Sequence, residues 1–188
     1  MSAIVPRAPT SNRRTLWLLA VVFFGPLALS FALYYGSSWR PPGHTNHGIL
    51  IQPPRPLPAT GGLFTGKWSL VYVGAGDCDA ACRQGLYVMR QTHLGLGHLL
   101  PRVQRVFIVT EQCCDRALLE REYPGLITLE PPASERAALL AQFPAAERAA
   151  TLYIVDPRGN LMMRYDERAN PRGLHEDLEK LLSLSHIG

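Results

Sequence analysis

No acidic residue precedes Leu16, and no charge of either sign falls between Leu16 and Tyr35. An uncharged apolar run of about 20 residues is long enough to cross the hydrocarbon core of a bilayer as a helix. That excludes a chain that is soluble from its first residue. Gly25-Pro26 kinks such a helix, which membrane helices tolerate. Arg7, Arg13 and Arg14 stand before the run, so the positive-inside rule places the N-terminus in the cytoplasm and the residues after Gly36 outside. Ala28-Leu29-Ser30 has the small-x-small form of a cleavage site, but the run exceeds the roughly 7–15 apolar residues of a signal peptide, so an uncleaved anchor is expected.

The rest of the chain lacks a charge excess. The 19 basic and 15 acidic residues become 16 against 15 once the three N-terminal arginines are set aside. The net charge of +4 therefore belongs to the insertion signal, and a nucleic-acid partner is excluded. Length for a second core is also lacking. About 125 residues remain after the anchor and linker, enough for one core. No internal repeat is visible. The organisation expected is a cytoplasmic tail at 1–15, a transmembrane helix at 16–35, a proline-rich linker at 36–62 and one folded domain at 63–188. In the linker, Pro41, Pro42, Pro53, Pro54, Pro56 and Pro58 favour extended polyproline geometry. His44 and His47 there read as polar linker residues, and Asn46 to Ile51 as a candidate extra strand.

Cysteine is scarce, with four in the chain, and its placement is informative. Cys78-Asp79-Ala80-Ala81-Cys82 directly follows the apolar run Trp68–Val73 and the small-residue loop Gly74-Ala75-Gly76. A strand that ends in a glycine-rich turn and opens into a helix puts the motif at the positive end of the helix dipole, where free N–H groups stabilise a thiolate. Asp77 and Asp79 oppose this, so Cys78 is expected to be modestly acidified and Cys82 more shielded. On a helix, i and i+4 share one face with Cα atoms about 6 Å apart, within disulfide range. A redox pair, a two-thiolate metal clamp and an inert staple all remain open. Outside a bacterial cytoplasm a disulfide can form and persist.

From Lys67 onward strands and helices alternate. Trp68–Val73 reads as a buried strand, and Asp79 to Gly97 as a helix with Cys82, Leu86, Met89, His93 and Leu96 on one face. Val103–Thr110 is a strand, Asp115–Tyr123 a helix and Leu126–Leu129 a short strand. Ser134 can cap a helix that carries Ala138, Leu139 and Phe143. Thr151–Asp156 and Leu161–Tyr165 form a hairpin across Pro157-Arg158-Gly159-Asn160. A final helix spans Pro171–Leu184, with Leu174, Leu178, Leu181 and Leu182 inward. This order implies an α/β thioredoxin-like fold, a central mixed sheet flanked by helices, after one N-terminal membrane helix.

Gly66–Val73, the C-x3-C pair, Arg105–Thr110 and Leu152–Asn160 together resemble the Sco/SenC family, in particular a Sco-like, single-anchor branch associated with cytochrome c oxidase assembly. The resemblance covers roughly Asn46 to Gly188. It implies a thioredoxin-fold domain tethered in the periplasm to the bacterial inner membrane, with the oxidase's copper-bearing subunit or another assembly factor as partner. It also implies that Cys78 and Cys82 are the family's two thiolates, acting as thiol-disulfide reductants or holding Cu(I). A non-catalytic assembly module stapled by the disulfide is the third reading. The family's copper-binding histidine lies just before the first strand of the late hairpin. Here that stretch, Pro144–Ala150, has no histidine, and no proline immediately precedes Thr151.

His93 lies 11 residues beyond Cys82, about 16 Å along a helix, too far to share a metal with it. His98 is farther, and His186 is in the terminal tail. His175 opens the last helix near the edge expected to carry the cysteine loop. Cys113-Cys114 follows the strand expected beside that of Cys78 and offers resolving thiols or further soft ligands for Cu(I). Cys113, Cys114 and His175 are thus the candidate third ligands, and a redox or assembly role stands ahead of a copper site. Reporter fusions made after Gly61 should be active in the periplasm; cytoplasmic activity from the same fusion would reverse the topology.

Overall fold

The computed structural model describes residues 13–36, 46–58, 61–111, 113, 116–143, 148, 150–166, 168, 170–185 and 187. The chain divides into two units, Met1–Gly43 and His44–Gly188. The described part of the first is helix α1, Arg13–Gly36. Its 24 residues rise about 36 Å, enough for a hydrocarbon core of about 30 Å. None of its side chains is buried.

The second unit is built on six strands. They are β1 (Ile49–Pro56), β2 (Trp68–Gly74), β3 (Val103–Val109), β4 (Leu126–Leu129), β5 (Thr151–Val155) and β6 (Asn160–Asp166), in the order β1-β6-β5-β2-β3-β4. β2, β3 and β4 run parallel, while β5, β6 and β1 alternate antiparallel beyond β2. β2 sits between β3 and β5, and Trp68 to Val73 are all buried. A strand covered on both faces must be apolar without interruption, which explains the run.

Alternation along β2 divides the core. Leu70 and Tyr72 face helix α2 (Ala80–Gly95) and helix α5 (Pro171–Leu184), packing with Leu86, Met89, Leu174, Leu178 and Leu182. Val71 and Val73 face the opposite side, with Val106, Ile108, Tyr153, Phe143 and Leu139 of helix α4 (Ala133–Leu140). Helix α3 (Arg116–Glu122) adds Leu119 to the first side. The β5–β6 turn is fixed by Asp156, which accepts from the backbone N–H groups of Arg158 and Asn160 and from the Asn160 amide. Gly159 adopts φ 83° there.

Three details depart from the sequence reading. α4 begins after Pro132 with no side-chain cap, so Ser134 does not cap it, and it ends at Leu140, before Phe143. The helix after the cysteine motif ends at Gly95, and Gly97–Arg102 is a 3-10 helix. β1 extends through Pro53, Pro54 and Pro56, residues assigned to the linker. Those prolines are compatible with a strand because β1 is at the sheet edge and its register shifts between Leu50 and Arg55.

The start of β1 is fastened from beneath. The buried Asp177 carboxylate accepts from the N–H groups of His47 at 2.7 Å and Gly48 at 2.9 Å, and from the Tyr165 hydroxyl at 2.5 Å. Gly48 admits no side chain, since a Cβ would lie 2.2 Å from the Tyr165 ring. Burial, and then Asp177, hold the Tyr165 hydroxyl protonated far above the ordinary tyrosine range. Asp177→Ala strands three donors and should cost roughly 2–4 kcal/mol in urea unfolding, with Asp177→Asn milder. The raised folded value also means stability should fall as pH rises past about 10, where an unfolded tyrosine ionises, and Tyr165→Phe should flatten that fall.

Candidate functional site

The cysteine motif sits at the carboxyl ends of the parallel strands β2 and β3. Gly74 closes β2, and its carbonyl accepts from the Thr110 N–H at 2.9 Å, locking the two strand ends together. The turn that follows is closed by the Cys78 N–H on the Ala75 carbonyl at 3.3 Å. Cys78 lies outside α2, one residue before its cap, with φ 40° in the left-handed region. Asp79 is the N-cap: its side chain accepts from the Cys82 N–H at 2.9 Å. This corrects the expectation of two cysteines on one helical face. It also gives a helix-terminal N–H to a carboxylate instead of to a thiolate.

Cys78 and Cys82 are joined in a disulfide with Cα atoms 5.0 Å apart. Their environments differ. Cys82 is in the first turn of α2 and 2% exposed, whereas Cys78 is half-buried. The guanidinium of Arg83 donates to the Cys78 carbonyl at 3.1 Å. A cavity of about 490 Å³ opens beside Cys82, lined also by Asp77, Asp79, Thr110, Glu111 and Arg148. Three carboxylates against one guanidinium make this surface acidic. Arg148 is held by its bonds to the carbonyls of Phe143 and Leu140. It lies in the stretch where the resembled family carries its histidine. Sequence reasoning missed it, though a lone arginine in an alanine-rich segment was the available signal.

Of the other candidate ligands, His175 is placed away from the pair. Cys113 is half-buried against the α2-side core and takes part in a disulfide, so it is not the free thiol expected. Cys114 and His186 lie outside the described residues. The His175 ring packs where a Gly95 Cβ would be, at 3.0 Å. Gly95 is 13 residues beyond Cys82 in sequence, about 20 Å along α2. His175 therefore sits at the far end of that helix and not at the cysteine loop. His93 is buried, with Nε2 2.8 Å from the Val103 carbonyl oxygen, and desolvation depresses its pKa. Among the described residues no group of three His, Cys, Asp or Glu side chains is placed to hold a metal ion.

The family model for the transmembrane-like, thioredoxin-like, C-terminal domain matches residues 68–185, and the chain belongs to that family. Among solved structures, apo Sco1 from Thermus thermophilus is 20% identical with a TM-score of 0.57, covering 74% of this chain and 99% of that one. Yeast Sco1 with copper bound is 16% identical with a TM-score of 0.57, covering 65% and 82%. Arabidopsis thaliana ScoI with copper bound is 17% identical with a TM-score of 0.54, covering 65% and 88%. At these identities the likeness is one of fold. Comparison with curated protein sequences found no match.

The cap predicts the reactivity of the reduced protein. Asp79→Asn keeps an acceptor for the Cys82 N–H but removes a negative charge beside Cys78. Iodoacetamide should then alkylate Cys78 roughly two- to fivefold faster at neutral pH. Asp79→Ala should add a loss of about 1 kcal/mol in stability from the missing cap. An unchanged alkylation rate in both variants would show that Asp79 has no electrostatic effect on the thiol.

Proposed function

We propose that this member of the transmembrane-like, thioredoxin-like family is a membrane-anchored thiol-disulfide reductant in cytochrome c oxidase assembly, working through Cys78 and Cys82. The observation that carries the reading is a disulfide joining a half-exposed to a buried cysteine, at the mouth of a cavity above the ends of β2 and β3. The domain is proposed to face the periplasm, with α1 in the bacterial inner membrane and the oxidase's copper-bearing subunit or another assembly factor as client.

In the reduced protein, the Cys78 thiolate attacks one sulfur of a client disulfide, and the other client sulfur leaves as a thiolate. Cys82 loses its proton to solvent, and its thiolate attacks the Cys78 sulfur of the mixed disulfide. That step expels the second client thiolate and leaves Cys78–Cys82 oxidised. Two electrons pass to the client, and a dithiol donor must restore the pair. The difference in exposure supports Cys78 as the attacking and Cys82 as the resolving residue.

The second reading is Cu(I) as cargo on the same two sulfurs, favoured by the copper in the yeast and Arabidopsis structures. The residues of this chain do not fit a three-ligand centre: Pro144–Ala150 lacks histidine, His175 is at the far end of α2, and Cys113 is in a disulfide. A two-coordinate sulfur site is all that supports it, suited to Cu(I) and not to Cu(II).

One experiment separates the readings. Cys82→Ser should trap a mixed disulfide with a client in membranes, whereas Cys78→Ser should not. Wild type should interconvert reversibly between dithiol and disulfide in a glutathione buffer. A pair that never reduces would leave only a staple. Stoichiometric Cu(I) binding that Cys78→Ser/Cys82→Ser abolishes, without trapping by Cys82→Ser, would put the cargo reading first.

A further inference from the structure

Arg105 is buried without a counter-charge. It shares the α2-facing side of β3 with Val103 and Phe107 and is 7% exposed. Its Nη2 donates to the Pro124 carbonyl at 2.5 Å, while its buried Nε has no partner. The ion pairs among the described residues use His47, Arg116, Arg121, Arg168 and Arg172, so Arg105 takes part in none. A desolvated cation in this position is unfavourable until an anion arrives. Desolvation and then the field of Arg90 lower the Arg105 pKa. At the Tyr123 hydroxyl, burial and then the Glu122 carboxylate raise the pKa, against the smaller opposing fields of Arg83 and Arg90. That hydroxyl donates to the Arg83 carbonyl at 3.2 Å.

Only a residue without a side chain covers the Arg105 guanidinium from solvent: Gly125 is exposed, and a Cβ there would lie 3.5 Å from Arg105 Nη2. Arg83, Tyr87, Arg90 and Leu94 follow one another along one face of α2 at steps of four and three. Tyr87 and Leu94 are 51% and 52% exposed. Arginine and tyrosine together are the residue types that dominate interface energetics. The row starts at the redox pair, because Arg83 also donates to the Cys78 carbonyl. The carboxylates nearby are Asp77 and Asp79, which line the cavity beside Cys82, and Glu122, which is 3.9 Å from Arg121.

We propose that Arg83 and Arg90, with the buried charge of Arg105 behind them, form a docking site for an acidic segment of the client protein, engaged while the client's cysteine meets Cys78. Planar guanidinium groups match carboxylates in paired hydrogen bonds, and Tyr87 and Leu94 supply apolar contact between the charges. The proposal rests on the reductant reading for its client but not for its binding chemistry. An acidic segment brings counter-charge towards the buried Arg105 guanidinium, whereas a basic one does not.

The test uses the full chain in nanodiscs of zwitterionic lipid and two short, cysteine-free, fluorescent peptides, one rich in Asp and Glu and one rich in Lys. Anisotropy should show the acidic peptide binding, more weakly at high salt, and the lysine peptide not binding. Arg83→Glu/Arg90→Glu should weaken the acidic peptide by about tenfold or more, and Arg83→Lys/Arg90→Lys should retain most of its affinity. Arg105→Met should weaken it about threefold while leaving Tm unchanged or raised, as expected of an uncompensated buried charge. Equal binding of both peptides would overturn the proposal, as would unchanged affinity in the double glutamate variant. So would an Arg105→Met protein with a lower Tm and unaltered affinity, which would make Arg105 a structural residue. Binding of anionic vesicles without binding of the acidic peptide would assign the row to lipid headgroups and overturn it also. Because the peptides lack cysteine, a failure here is separable from a failure of the redox reading, which shows in the Cys82→Ser trap.

Discussion

The burial of β2 on both faces is the constraint on which the domain depends. A strand with β3 on one side and β5 on the other, and side chains packed above and below, cannot slip by one residue without exchanging Leu70 and Tyr72 for Val71 and Val73. That register fixes where Gly74 ends the strand. Gly74 and Thr110 then tie the two parallel strand ends, and the cysteine turn is built on the tied end. The position of Cys78 is therefore set by a core some residues away. Changes in that core should move the sulfur without touching it.

Within the turn, electrostatics point in two directions at once. Asp79 occupies a helix-terminal N–H group and lines an acidic cavity with Asp77 and Glu111. On the α2 side, Arg83 reaches the Cys78 carbonyl at the head of a row of arginines. The disulfide thus lies at a boundary between fields of opposite sign. Charge arranged in this way acts on the orientation of whatever charged group approaches it.

Much of this was legible in the sequence. The unbroken apolar run Trp68–Val73 announced a central strand, the spacing of Cys82, Leu86, Met89 and His93 announced the buried face of α2, and the Pro157–Asn160 segment announced a hairpin. These signals are local, and the packing agrees with them. What was not legible depended on long-range placement. His175 looked close to the cysteines because helix order is visible in a sequence, but which end of α2 it meets is decided by how α5 packs on that helix. The extent of β1 was hidden because prolines argue against a strand unless it is at an edge. The cap role of Asp79 was present in its spacing to Cys82, yet the helix start was drawn too early. The solitude of Arg105 could not be read at all, since a charged residue within a strand says nothing about whether a partner waits beside it.

The two borders of the sheet carry a consequence for a chain whose α1 is long and apolar enough to span a bilayer, where anchored copies would meet in two dimensions. Strand borders are templates for further pairing. At one border Pro53, Pro54 and Pro56 remove N–H donors from β1, and at the other β4 has only 4 residues before Pro131 and Pro132. Neither border offers the run of donors that a neighbouring copy would need. Edge-to-edge pairing between copies is therefore disfavoured at both borders.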